Sequence, residues 1–409
     1  MSVTPYKINV PEDKITRLKQ KLAAAELPDE LEDAGWDMGS PLADVKRLAK
    51  YWRDEFDWRQ AEAELNQMPQ FTTTMQIEGF DPIELHFVHA KSSRPNAVPL
   101  LFCHGWPGSF EEVSKLLPLL VDGGGSDDKP AFDVAAPSLP GFGFSSGVKK
   151  RGFSVMEMAE VSNKLMTEVL GYDQYVTQGG DLGYFVTRCM GYSFSEHCRA
   201  SHYNVAGPQP PSETYFPELY KQDQAAPRTQ AELEGLARSE WFQKEGSGYR
   251  MLHMSKPQTP GYALTDSPVG LLAWIYEKLH DWSDGCPFTD YDVCKWVSIY
   301  WFSRAGPAAS LRIYYEMAHE TRPVSSGTIT FATYLEGVKL GFGLFPKDLA
   351  VLPLLWNKTL GDVVLNKLHE SGGHFASFER PQELAADLYE MFGQGGAAYA
   401  VVKGRTGYA

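Results

Sequence analysis

Apolar residues recur at helical spacing over the first seventy residues and at strand spacing directly afterwards. Ile15, Leu18 and Leu22 share one face of a helix behind the start signal Pro11-Glu12-Asp13. A second helical stretch over 42–65 carries Trp52, Phe56 and Trp58. No polar linker follows, so residues 1–70 read as a helical extension packed on the core rather than a free module. From Phe71 the period changes: 71–77 and 83–88 alternate like antiparallel strands joined at Gly79-Phe80-Asp81-Pro82. Residues 98–102 form a continuous apolar run, and short strands are predicted at 132–135 and 174–177. Helices are predicted over 110–120 and 155–170. Strands alternating with helices predict a largely parallel sheet covered on both faces.

Between about 207 and 319 the alternation stops, and Pro-rich turns lead into helical stretches dense in aromatics such as Trp274, Trp282 and Trp296. Strand character returns at 338–344 and 363–365. Four segments follow: an N-terminal extension (1–70), a first α/β part (71–206), a helical lid (207–320) and a second α/β part (321–409). No internal repeat or low-complexity stretch argues for a solenoid.

Composition narrows the function classes. With 38 Lys plus Arg against 52 Asp plus Glu, the net charge of −14 argues against nucleic acid or an anionic membrane surface as partner. The 409 residues suffice for a large buried core. Five cysteines (Cys103, Cys189, Cys198, Cys286, Cys294) show neither a CxxC pair nor zinc-ligand spacing with histidine. Free thiols, no structural metal and no cofactor are expected. The N-terminus lacks a basic region followed by an apolar one, and no apolar run approaches the ~20 residues of a membrane span. A cytoplasmic location is expected.

The candidate chemistry sits at strand ends, where ligands of open α/β sheets bind. Gln178-Gly179-Gly180-Asp181-Leu182-Gly183 follows the strand at 174–177 and precedes a helix. Small residues at 179 and 183 around Asp181 form the small-x-nucleophile-x-small pattern of a nucleophile elbow. A carboxylate in place of the usual serine would form an alkyl ester, not an acyl-enzyme. His104-Gly105-Trp106-Pro107-Gly108 follows the run at 98–102, Asp348 follows the strand ending near Leu344, and His374 follows the last strand. Taken singly, each motif could be a tight turn or an incidental residue. Nucleophile, acid, histidine is the chain order of an α/β-hydrolase triad.

The chain resembles the α/β-hydrolase-fold epoxide hydrolases of the microsomal type, soluble fungal and bacterial members included. The resemblance spans essentially all of it. It rests on the helical extension, the HGWPG and Ser138–Ser145 SLPGFGFS loops, and the GGDLG elbow. Ser255-Lys256-Pro257, the 266–274 segment DSPVGLLAW and Gly372-Gly373-His374-Phe375-Ala376 complete it. It implies an α/β-hydrolase fold with a mostly parallel central sheet, a helical lid insertion and an N-terminal helical extension. It also implies a small-molecule epoxide substrate and a homodimer.

Residue by residue, the resemblance implies Asp181 as nucleophile, His374 as general base and Asp348 as its charge partner. Tyr249, in Gly248-Tyr249-Arg250, and Tyr314, in its Tyr-x-Glu context, would protonate the epoxide oxygen. Tyr315 is a neighbouring alternative to Tyr314. The backbone N–H groups of Trp106 and Leu182 would form the oxyanion hole. His104 is the rival base, and Asp362 and Glu370 are the rival acids. The competing function is a haloalkane or haloacid dehalogenase, which uses the same aspartyl ester. One common device there is a tryptophan directly after the nucleophile, where this chain has Leu182. A serine-type esterase would need serine at 181. Lid aromatics suit an aryl or lipid-like epoxide, although aromatics between helices are more often core.

Overall fold

A computed structural model describes residues 2–320 and 332–409; the predicted start of the second α/β part, at 321, lies outside them. Nine strands of the described residues form one sheet: β1 (Thr4–Pro5), β2 (Gln70–Met75), β3 (Ile83–Ala90), β4 (Val98–Cys103), β5 (Phe132–Pro137), β6 (Tyr175–Gly179), β7 (Cys198–Tyr203), β8 (Leu335–Leu344) and β9 (Gly361–Leu368). Their order is β1-β2-β3-β5-β4-β6-β7-β8-β9. Pairing is antiparallel from β1 to β5 and parallel from β5 to β9. β4 and β5 are buried at every position, as strands covered on both faces must be.

Two strands escaped the sequence pattern. β1 has only two residues, held to β2 at Thr4 and Pro5. β7 reads as Cys198-Arg199-Ala200-Ser201-His202-Tyr203, too polar for a buried strand by periodicity. Its Ser201 hydroxyl is satisfied across the ladder, where Thr177 Oγ1 donates to Ser201 Oγ at 2.8 Å. The stretch predicted over 42–65 is two helices, Leu42–Asp54 and Trp58–Leu65, because the Asp57 side chain caps the second by accepting from Arg59 N. The predicted helix over 110–120 is a 3₁₀ turn (Phe110–Val113) followed by a short helix (Leu117–Leu120).

Helices from Pro217–Ala225 to Arg312–Ala318 make up most of the described part of the connection between β7 and β8. They reach the HGWPG loop, where Tyr300 Oη donates to Gly108 O at 2.7 Å and Trp296 Nε1 donates to Pro107 O. The N-terminal extension braces these same helices as well as the sheet. Trp52 Nε1 donates to Ser298 Oγ at 2.9 Å, Tyr291 Oη donates to Glu64 at 2.7 Å, and Trp36 stacks on His280. All five cysteines are free. No described helix is long and apolar enough to cross a membrane. No described group of three or more His, Cys, Asp or Glu could hold a metal ion.

Candidate active site

β6 ends at Gly179 and the helix Leu182–Ser193 begins directly after Asp181. The turn between them holds Asp181 at φ 49°, ψ −123°. For a residue with a Cβ, such a backbone costs about 1–3 kcal/mol and persists only where its surroundings enforce it. Gly183 provides part of that enforcement. A Cβ there would lie 1.9 Å from the Cys103 carbonyl oxygen, so only glycine lets this helix approach β4. Gly105 does the same from the other side, since its Cβ would fall 2.3 Å from Asp181 Cβ.

The two carboxylate oxygens of Asp181 meet different partners. Oδ1 accepts from Trp106 N at 2.7 Å, and Oδ2 lies 3.5 Å from His374 Nε2. His374 Nδ1 in turn sits 2.6 Å from Asp348 Oδ1, which also accepts from Leu349 N. An isolated parallel bridge between Lys347 and Gly373 runs the two loops side by side and brings Asp348 to His374. His374 N donates to Trp282 O at 2.8 Å, which ties the histidine loop to the helices between β7 and β8. Burial opposes a charge on His374, but the carboxylates of Asp348 and Asp181 outweigh it and raise the imidazole to about 10.

Tyr249 and Tyr314 are both buried against the ring of Trp106. Tyr249 stacks on Trp106 at 4.8 Å between ring centroids, and Tyr314 meets the same indole edge-on at 6.0 Å. Burial, and then the negative charge of Asp181, holds the Tyr249 hydroxyl well above its ordinary range. Tyr314 is raised by burial, by Tyr249 and by Asp181. Both hydroxyls therefore stay protonated at neutral pH. Tyr314 Oη is buried and has no aligned hydrogen-bond partner. Leu182 opens its helix, and N–H groups of a first helical turn have no partner within the helix.

The remaining candidates lie elsewhere or hold loops. Tyr315 turns outward, accepting from Arg151 Nη2 at 2.9 Å. His104 is fully enclosed: Nε2 accepts from Leu139 N at 3.1 Å and Nδ1 lies 3.0 Å from Gly105 O. Burial lowers it to about 4, so it joins the HGWPG and SLPGFGFS loops as a neutral ring. Asp362 and Glu370 are exposed. Two residues beside the site had no motif to mark them. His253 is buried against the rings of Trp106, Tyr249 and Tyr314. Glu112 turns its carboxyl toward Ser377, and its only sequence signal is an acid four residues past Gly108.

The family described as "Epoxide hydrolase N terminus" matches residues 3–113, and the one described as "alpha/beta hydrolase fold" matches 98–261. A Stigmatella aurantiaca protein provisionally named an epoxide hydrolase is 38% identical over 96% of this chain and 85% of its own. Epoxide hydrolase 1 of Sus scrofa is 33% identical over 96% of this chain and 89% of its own. The structure of Aspergillus niger epoxide hydrolase superposes with a TM-score of 0.81 at 34% identity, covering 95% of each chain. With an Asp-centred elbow, an α/β-hydrolase sheet and relatives of this similarity along nearly its whole length, the chain belongs to the microsomal-type epoxide hydrolases, enzymes that hydrolyse the ether bond of an epoxide.

Proposed function

We propose that the chain opens an epoxide to a vicinal diol through a covalent ester on Asp181. The observation that carries this reading is the division of labour around one carboxylate. Oδ1 is held by the Trp106 N–H, while Oδ2 is left toward His374 beneath two protonated lid tyrosines.

Oδ2 attacks an epoxide carbon, and the ring C–O bond breaks as the new C–O bond forms. The departing oxygen takes a proton from a lid tyrosine, which makes it a tolerable leaving group. Asp181 is then a neutral ester. His374 loses one of the two charges that kept it protonated, and the proton it releases restores the tyrosine. Neutral His374, oriented by Asp348, takes a proton from water whose oxygen bonds to Asp181 Cγ. The negative charge on Oδ1 is met by the N–H groups of Trp106 and Leu182. Collapse breaks the bond between Cγ and Oδ2, and the second proton of that water ends on the diol. The cycle closes with Asp181 ionised and His374 protonated. Asp348, not Asp362 or Glu370, is the charge partner in this reading, and Tyr314, not Tyr315, is the second acid. The aromatic walls suit an aryl or lipid-like epoxide.

Removing either acid tests the assignment. Tyr249→Phe and Tyr314→Phe should each slow ester formation roughly 10–100-fold, because the remaining hydroxyl still donates, and the double variant about 10³-fold. Tyr315→Phe should stay near wild type. Transient kinetics on a styrene-oxide-like substrate reads this directly, with halide release from a haloalkane as the control for the dehalogenase alternative. Unchanged rates in the double variant would remove the tyrosines from the mechanism.

A further inference from the structure

On the triad side of Asp181 lies a small cavity lined by Asp181, His374, Glu112, Gln178 and Ser377 among others, but by neither lid tyrosine. It has about 20 Å³ in which a water's centre can sit. One ordered water needs about 10–15 Å³ on that measure and two to four polar partners. Both conditions are met here, and the space is too small for a substrate. Polar atoms turn toward it with bonds to spare. Gln178 commits its amide nitrogen to Asn204 Oδ1 at 2.8 Å, while its Oε1 is buried without a partner.

Glu112 is the carboxyl group in this wall that the mechanism above leaves unused. Its Oε2 accepts from Ser377 Oγ at 3.3 Å, and Ser377 sits three residues past His374. Its Oε1 occupies the space that any side chain at Gly108 would fill, 1.7 Å from the site of that missing Cβ. The HGWPG glycine thus makes room for this carboxyl at the edge of the site. Resting on the covalent reading, we propose that Glu112 is the positioning residue for the hydrolytic water, holding it in this cavity between His374 and the Asp181 ester.

The electrostatics agree with that role. Burial raises the Glu112 carboxyl to about 8; His374 pulls against this and Asp181 adds to it. At neutral pH the group is a carboxylic acid, with a carbonyl that accepts from the water and no third negative charge beside Asp181 and Asp348. One water hydrogen bound by Glu112 leaves the other for His374 Nε2 and a lone pair for Cγ. Bond making is then as written above: oxygen to Cγ, proton to His374.

The test separates ester formation from ester decay in stopped-flow single turnovers, with the alkyl-enzyme followed by mass. Glu112→Leu is expected to form ester within ~3-fold of wild type and to break it down about 10–100-fold more slowly, the cost of an unheld nucleophile. Glu112→Gln, which keeps the shape and hydrogen bonding of the neutral acid, should stay within ~3-fold in both steps. A purely structural role would slow both steps together, and ester formation also reports whether the site has folded. Should Glu112→Leu fail to fold, Glu112→Ala carries the same expectation. Wild-type ester decay in the Leu or Ala variant, or decay in Glu112→Gln as slow as in Glu112→Leu, would overturn the proposal. No ester in any variant, His374→Gln included, would instead overturn the covalent reading on which it rests.

Discussion

Asp181→Ala should release diol at least about 10⁴-fold more slowly than wild type while keeping its fold, because on the proposed mechanism its carboxylate makes the first bond. The substitution leaves the surrounding architecture in place. Gly105, Gly179 and Gly183 still allow the close approaches of the elbow, and the loops carrying Asp348 and His374 do not depend on the carboxylate. A second signature accompanies the loss. With Asp181 uncharged, His374 keeps only Asp348 as a raising partner, so its imidazole should titrate below the value near 10 that it has beside both. Diol release measured beside the imidazole titration by NMR gives both results on one protein. Equal diol release from wild type and variant would remove Asp181 from the reaction.

His374→Gln should separate the two half-reactions. On the proposed mechanism ester formation draws on Oδ2 and the tyrosines, so it should continue. Ester decay needs a base, and removing one should slow it about 10²–10⁴-fold. The variant should therefore gain the mass of one substrate on Asp181 and hold it. The same logic fixes the direction of the pH dependence. In the free enzyme His374 is protonated until pH approaches about 10, whereas in the ester it has lost the charge of Asp181 and its affinity for protons falls. Lowering pH should accordingly reprotonate the base and slow ester decay before it affects ester formation. A His374→Gln enzyme that turns over without accumulating ester would contradict this division.

Much of this site was legible because its determinants are local. Gly179 and Gly183 mark the elbow since close backbone approach excludes a Cβ, and that constraint is written in the sequence. The strand-end positions of Asp348 and His374 were visible in chain order, although what brings them to 2.6 Å is the pairing of Lys347 with Gly373 between distant segments. The choice between Tyr314 and Tyr315 was not legible. Adjacent residues on a helix point about 100° apart, and which one faces inward depends on how the helix Arg312–Ala318 is rotated against the core. β7 was missed because its alternation is broken by polar residues, of which Ser201 is satisfied by Thr177 on the neighbouring strand, a pairing that periodicity does not register. Glu112 carried no motif at all. Its chemistry comes from burial beside His374 and Asp181, a property of the folded arrangement.

The helical extension illustrates the same boundary. Its apolar faces were plain from Ile15, Leu18 and Leu22, yet its partners are the lid helices as much as the sheet. Tertiary contact, not local pattern, decides what an amphipathic helix covers. By bracing the helix that carries Trp296 and Tyr300, the extension helps hold that helix against the HGWPG loop.

The central claim is that the first oxygen delivered to the epoxide belongs to Asp181. A single turnover in heavy-oxygen water, with enzyme in excess over substrate, tests it most directly. The account predicts a first diol that is largely unlabelled, with the heavy oxygen appearing in the Asp181 carboxylate. Labelled diol in that first turnover would mean that water attacks the epoxide itself, and would contradict the ester.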